Sequence, residues 1–313
     1  MTLTSQQLAL RRQSIGASDV PAILGLCPWP NANARSVQAS KLYDLDETTN
    51  PAMEFGNLME RPLCERVRQR LGIDGDVTPT LIQHPDDPHL TANLDDLLDP
   101  TQATEAKYSG VDDEWGEPGT PEVPERVVAQ TAYQLALMPT LERIHIPAVV
   151  IRHRRPTVND YLVLRDDELG AMMVRAARLF WARFVDARDE ITAASYAAYW
   201  TDVFGSAEWM PDPGAAAAPS LDTYRRIRRV EGESADIDAA LVERWQARRD
   251  ERLAMEKGLK REEEEAQAAV LAAMGEAQIG CCQLGEVRVT KSHIKEAKPR
   301  EYDRMTVSFR KAK

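Results

Sequence analysis

Apolar residues along this chain switch repeatedly between helical and strand-like spacing. Helical spacing governs LTSQQLALRRQS near the start, SVQASKLYDL, and MEFGNLMERPLCERVRQRLG, where Phe55, Leu58, Met59, Leu63 and Val67 recur on one predicted face. It returns in VPERVVAQTAYQLALM and in DDELGAMMVRAARLFWARFVDAR. Between these lie runs with the alternation of half-buried strands: VTPTLIQHP, HLTANLDDLL, ATEAKYS, RIHIPAVVIRH and NDYLVLRD. Such interleaving predicts an α/β fold, a sheet flanked by helices. After the first helix an IGAS turn leads to a short helix, with Ser18 or Asp19 as its cap and Pro21 in its first turn.

The pattern breaks at FGSAEWMPDPGAAAAPS, so a core over residues 1–205 is expected to end in a linker at 206–220. Residues 221–277 are charged and helix-favouring with a thin apolar stripe, which predicts a helical hairpin or extended arm. Residues 278–313 carry two alternating runs, GEVRVTKS and TVSFRK, and read as a small β-rich tail.

One pair of strands carries chemistry. The first run delivers Asp95 and the second delivers Glu105, Ala106 and Lys107. Successive side chains of an extended segment point to opposite faces, so Glu105 and Lys107 share a face and Ala106 turns away. Two acids with a lysine suit a metal-dependent phosphodiesterase, in which carboxylates hold Mg²⁺ and an ammonium steadies developing charge. Solvated charges on a surface turn are the plainer alternative. Glu60, among apolar neighbours on its helix, marks either a polar edge or the rim of a site. Gln130 and Gln134 lie one helical turn apart. Arg11, seven residues before Ser18, is near enough to share an anion with the start of the short helix.

Composition narrows the class. The chain has no apolar run long enough for a membrane span and no secretory leader pattern at its start, so the cytoplasm is expected. Cys27, Cys64, Cys281 and Cys282 are too scattered for a disulfide scaffold and match no common iron–sulfur spacing. A net charge of −11 argues against nucleic acid on average. Its distribution argues less: residues 286–313 hold nine Lys/Arg against four Asp/Glu, a local +5, and IRHRR adds a second basic strip.

Taken in order, Arg11, IGASDV, Glu60 in GNLME, Asp95, EAK and the AQTAYQ helix resemble the viral recombinase exonucleases of the lambda exonuclease or YqaJ family, within the PD-(D/E)xK nuclease superfamily. The resemblance covers roughly residues 8 to 185. It implies a restriction-endonuclease-like core with a mixed central sheet, followed here by a helical arm and a β tail. It implies a 5′-to-3′ exonuclease on linear double-stranded DNA that leaves 3′ single-stranded tails for phage-type recombination.

Carried over by residue, the resemblance makes Asp95 the central metal ligand, Glu105 a second and the Ala106 carbonyl a third, for two Mg²⁺ or Mn²⁺ ions. Glu60 would assist the second ion, Lys107 would orient the attacking water and Gln130 would position substrate or water. Gln134 is a further candidate, and Arg11 with Ser18 would take the 5′-terminal phosphate. The family's Asp-Gly is Asp95-Asp96 here, leaving Asp96 open as an alternative ligand, with Leu94 favouring Asp95. Val127 stands where the family often has an aromatic residue. The implied partners are DNA ends, a single-strand annealing protein and further copies in a homo-oligomeric ring, in the cytoplasm of a bacterium carrying phage or prophage. Rival readings are another PD-(D/E)xK nuclease, of repair or iron–sulfur type, and a catalytically inactive DNA-binding assembly protein.

Overall fold

The computed structural model describes residues 5–45, 50–109, 114–152, 155–219, 221–227, 239–274, 279–282, 285–295 and 301–311. They fall into two compact units, Met1–Val230 and Glu231–Lys313. The first begins with helices α1 (Ser5–Arg12), α2 (Val20–Ile23), α3 (Ala34–Leu42) and α4 (Pro51–Leu71). Strands β1 (Thr80–His84), β2 (Asp87–Leu94), β3 (Asp96–Asp99), β4 (Gln102–Thr104) and β5 (Lys107–Ser109) follow. Then come α5 (Glu125–Leu137), β6 (Arg143–Arg152), β7 (Arg155–Leu164), α6 (Asp167–Phe180), a π-helical segment (Trp181–Asp186), α7 (Ala193–Phe204), α8 (Pro213–Ala216) and α9 (Leu221–Arg225).

The central sheet is mixed. β4 and β5 both run parallel to β6 in one register, with Thr104 opposite His145 and Lys107 opposite Ala148. Residues 102–109 therefore act as one strand interrupted at Glu105 and Ala106, and the Glu105 N–H still donates to the His145 carbonyl at 2.9 Å. β3 pairs antiparallel with β4, and β7 pairs antiparallel with β6 on its other side. β1 and β2 form a separate hairpin. The expected α/β core is thus present, with a mixed central sheet and flanking helices.

Two expectations are corrected by packing. Of the face predicted for α4, Leu63 and Val67 are buried, while Phe55 and Leu58, before Pro62, are exposed. Phe55 instead rests its ring on Tyr108 at 4.9 Å. The segment expected to link, 206–220, packs into the main core: α8 lies in it, and Ala216 and Ala217 are buried. Small residues permit that close approach. Gly25, at φ +68°, faces Pro211 so closely that an added Cβ would lie 2.8 Å from its Cγ. The first unit accordingly runs on to Val230.

Deep in the sheet, the His145 Nε2 lies 3.1 Å from Gln102 Oε1. Burial, then the nearby Arg70 and Arg143, hold its pKa down at about 4 against an ordinary 6.5. The unfolded chain takes up a proton that the folded one refuses, so this stability is full above pH 6.5 and is lost as pH falls toward 4. The loss amounts to roughly 2–3 kcal/mol. Urea titrations at about pH 7 and about pH 4.5 should show a steeper loss in wild type than in His145→Gln. Equal slopes would contradict this assignment.

The second unit holds α10 (Ala239–Met274) and strands β8 (Ile279–Cys282), β9 (Gly285–Lys295) and β10 (Glu301–Lys311). Among the described residues the predicted hairpin or arm is one helix of 36 residues. Leu253, Leu259 and Val270 of its expected stripe are exposed. Ion pairs one turn apart, such as Arg261 with Glu265 at 2.8 Å, support a helix that is polar all round. The two tail runs pair as β9 and β10, with β8 on the far side of β9. Side chains of the basic tail lie outside the described residues. Among the described residues no helix is long and apolar enough to cross a membrane.

Candidate active site

Asp95 occupies the corner where β2 ends and β3 begins, and its Oδ2 accepts the Ala106 N–H at 2.8 Å. That bond ties the two acid-bearing strands together. Glu105, buried, receives three donors: Lys107 Nζ at 2.5 Å and Gln130 Nε2 at 2.7 Å on Oε1, and Gln134 Nε2 at 2.6 Å on Oε2. Lys107 Nζ also donates to Gln130 Oε1 at 3.0 Å. Gln134 is wholly buried and donates in addition to the Asn93 carbonyl on β2 at 2.9 Å. The helical spacing of the two glutamines on α5 lets them grip one carboxylate from two sides. Alternation does the same for Lys107, which meets Glu105 two residues before it on the same face.

Electrostatics mark the corner. Burial first, and Glu105 second, push the Asp95 carboxyl well above the usual carboxylate range, with Lys107 acting the other way and Glu60 adding to the rise. Two close acids in a poorly solvated corner repel each other, and a divalent cation held by both relieves that repulsion. The donor set therefore fits a hard metal ion in charge and ligand type. Among the described residues, no three acidic, histidine or cysteine side chains converge closely enough to form a ready-made cage. Glu60 acts on Asp95 through its field rather than through a shared cage.

Cys64 was not legible as part of this group. It is fully buried one turn after Glu60, and its thiol is pushed up by burial and then by Asp95, Asp96, Glu60 and Glu105. It therefore stays protonated and supplies an uncharged wall. The spacing of four from Glu60 was the available signal.

Asp96 has a different occupation from its neighbour. It is 0% exposed and is held bidentately by Arg68, Nε to Oδ2 at 2.6 Å and Nη2 to Oδ1 at 2.6 Å. The Thr78 N–H donates to Oδ1 at 2.8 Å, and Arg68 Nη2 reaches the Leu97 carbonyl at 3.1 Å. The three hydrogen bonds that Asp96 accepts thus come from α4 and from the residues just before β1.

At the other end of the region, Arg11 Nη2 lies 3.5 Å from Ser18 Oγ, both exposed. Ser18 does not cap α2. Asp19 stands at the cap position without a capping bond, and its Oδ2 instead takes the Gly16 N–H at 2.9 Å and Lys41 Nζ at 2.6 Å. Burial raises the Asp19 carboxyl, but Lys41 and Arg11 outweigh it and hold the group below the usual range. This turn is fixed to the same scaffold as the acids. Ile15 pairs with Leu90 of β2, and its carbonyl accepts the Tyr133 hydroxyl of α5 at 3.0 Å.

Several known proteins are similar to part of this chain. A model of the YqaJ-like viral recombinase domain matches residues 6–139. The YqaJ protein of Bacillus subtilis strain 168 is 27% identical over 174 residues, 55% of this chain and 53% of its own length. The chain thus spans about half the length of that curated relative. Among solved structures, LHK-Exo in complex with dAMP, from Laribacter hongkongensis, is 21% identical, with 59% of this chain and 94% of that one covered at a TM-score of 0.45. A phage-related exonuclease from Haemophilus somnus 129PT is 15% identical, with 56% and 96% covered at a TM-score of 0.39. Over residues 6–139, less than half of its length, this chain is similar to the YqaJ-like viral recombinase domain.

Proposed function

We propose that this protein is a divalent-metal-dependent exonuclease that degrades linear double-stranded DNA from 5′-phosphorylated ends and leaves 3′ single-stranded tails for phage-type recombination. The observation that carries this reading is the grip of Lys107, Gln130 and Gln134 on Glu105 beside a strongly perturbed Asp95. Perturbed acids of this kind concentrate where charge must be handled during a reaction. Asp95 and Glu105 would hold Mg²⁺ or Mn²⁺, with the Ala106 carbonyl beside them and Glu60 contributing toward a second ion. When bound, the metal supplies Lewis-acid polarisation of the scissile phosphate.

The chain's own residues do the rest. Lys107, already shared between Glu105 and Gln130, orients a water for attack and offsets negative charge as it builds on the phosphate. Gln130 holds that ammonium in place, and Gln134 fixes the plane of the Glu105 carboxylate from within the core. Asp96 anchors the corner through Arg68 and leaves metal binding to Asp95. Arg11 and Ser18 receive the 5′ phosphate as a charge-assisted pair. A single-strand annealing protein and further copies of this chain in a ring are the proposed partners, in the cytoplasm of a phage-bearing bacterium.

End structure provides the test. Linear duplexes labelled at either the 5′ or the 3′ end, with a 5′ phosphate or hydroxyl, should show loss from the 5′ side, faster with the phosphate. Preference for the opposite end would overturn the polarity. Indifference to the phosphate would remove Arg11 and Ser18 from their role.

A further inference from the structure

Trp29 stands out among the exposed large side chains because its surroundings are rigid. It lies between Pro28 and Pro30, which restrict the backbone on both sides. The Ala32 N–H closes a turn onto the Trp29 carbonyl at 3.0 Å. Asn33, nearly buried, donates to the Pro30 carbonyl at 3.1 Å and the Ala218 carbonyl at 3.0 Å while its Oδ1 caps α3. On this fixed turn the indole remains 54% exposed.

A cation backs the ring. The Arg126 guanidinium carbon lies 5.4 Å from the ring centroid, and that side chain is itself mostly buried and paired with Glu114. Arg126 is on the first turn of α5, four residues before Gln130, so the two share a helix face. The cation that contacts the indole is therefore carried one helical turn from the residue that bonds both Glu105 and Lys107. A half-exposed tryptophan on a rigid turn, with a partner cation beside it, has the features of a surface on which a planar ring stacks at little entropic cost.

We infer that Trp29, backed by Arg126, is a stacking platform for a nucleobase at the DNA end being cut. The inference rests on the nuclease reading for its substrate. A base inside a duplex has no free face, so the occupant is a terminal or frayed base whose outer face lies open. The platform positions DNA and takes no part in proton transfer, so its loss acts on binding.

The test uses the full chain and a 5′-phosphorylated duplex with 2-aminopurine among its terminal nucleotides. With Ca²⁺ in place of Mg²⁺, binding to wild type should quench the 2-aminopurine emission. Trp29→Ala should abolish the quench and raise KM by about tenfold with kcat changed by less than about twofold, whereas Trp29→Tyr should keep most of both. Absence of quenching in wild type, or an unchanged quench and KM in Trp29→Ala, overturns the platform. A wild-type protein that quenches but never cuts in Mg²⁺ refutes the nuclease reading and leaves the platform standing.

Discussion

Lys107→Ala is expected to lower Mg²⁺-dependent DNA cleavage by on the order of 10²–10³-fold without unfolding the protein. Lys107 is partly exposed, and its ammonium bonds only Glu105 and Gln130 among the described contacts. Its removal leaves Glu105 gripped by both glutamines, so the corner keeps its shape. What is lost is the cation that, among the described residues, offsets the charge of the acid pair. Asp95→Asn should be at least as damaging, because it removes a charge that the proposed metal requires. Cleavage of an end-labelled duplex reports activity, and circular dichroism with a thermal melt reports the fold. Near-wild-type cleavage by a folded Lys107→Ala protein would remove that residue from the mechanism.

The second large effect concerns stability. Arg68→Ala leaves Asp96 as a wholly buried carboxylate without its counter-ion, and such losses cost about 3–5 kcal/mol. Replacing both partners with apolar residues of similar size, as in Arg68→Met with Asp96→Leu, should recover much of that loss, since no stranded charge remains. The Thr78 N–H and the Leu97 carbonyl would still each lose a bond, so recovery is incomplete. Urea melts of the single and double variants measure this directly. A loss below about 1 kcal/mol in Arg68→Ala would show that the pair is not structural.

These residues also show where sequence reading succeeds and where it stops. The strands of the sheet and helices α5 and α6 were legible because their apolar periods, two and near four, are local properties. The shared face of Glu105 and Lys107 and the one-turn spacing of Gln130 and Gln134 were legible for the same reason. Asp96 was not, since its partner Arg68 sits 28 positions away and only the folded chain brings the guanidinium to it. Cys64 and the Trp29–Arg126 pair were hidden likewise by long-range packing. The expected linker failed on a different count. A run of Pro, Gly and Ala is the composition of a linker, and equally of a segment small enough to lie close against Gly25 and α3.

The central claim is that the corner formed by Asp95, Glu105 and Lys107 hydrolyses DNA. It is tested most directly by incubating a 5′-phosphorylated, 3′-labelled linear duplex with wild type and with Asp95→Asn, in Mg²⁺ and in EDTA. Progressive shortening of the labelled strand is expected only with wild type and only with metal. Cutting undiminished by Asp95→Asn, or a wild-type protein that binds the duplex in EDTA and leaves it intact in Mg²⁺ and Mn²⁺ alike, would contradict it.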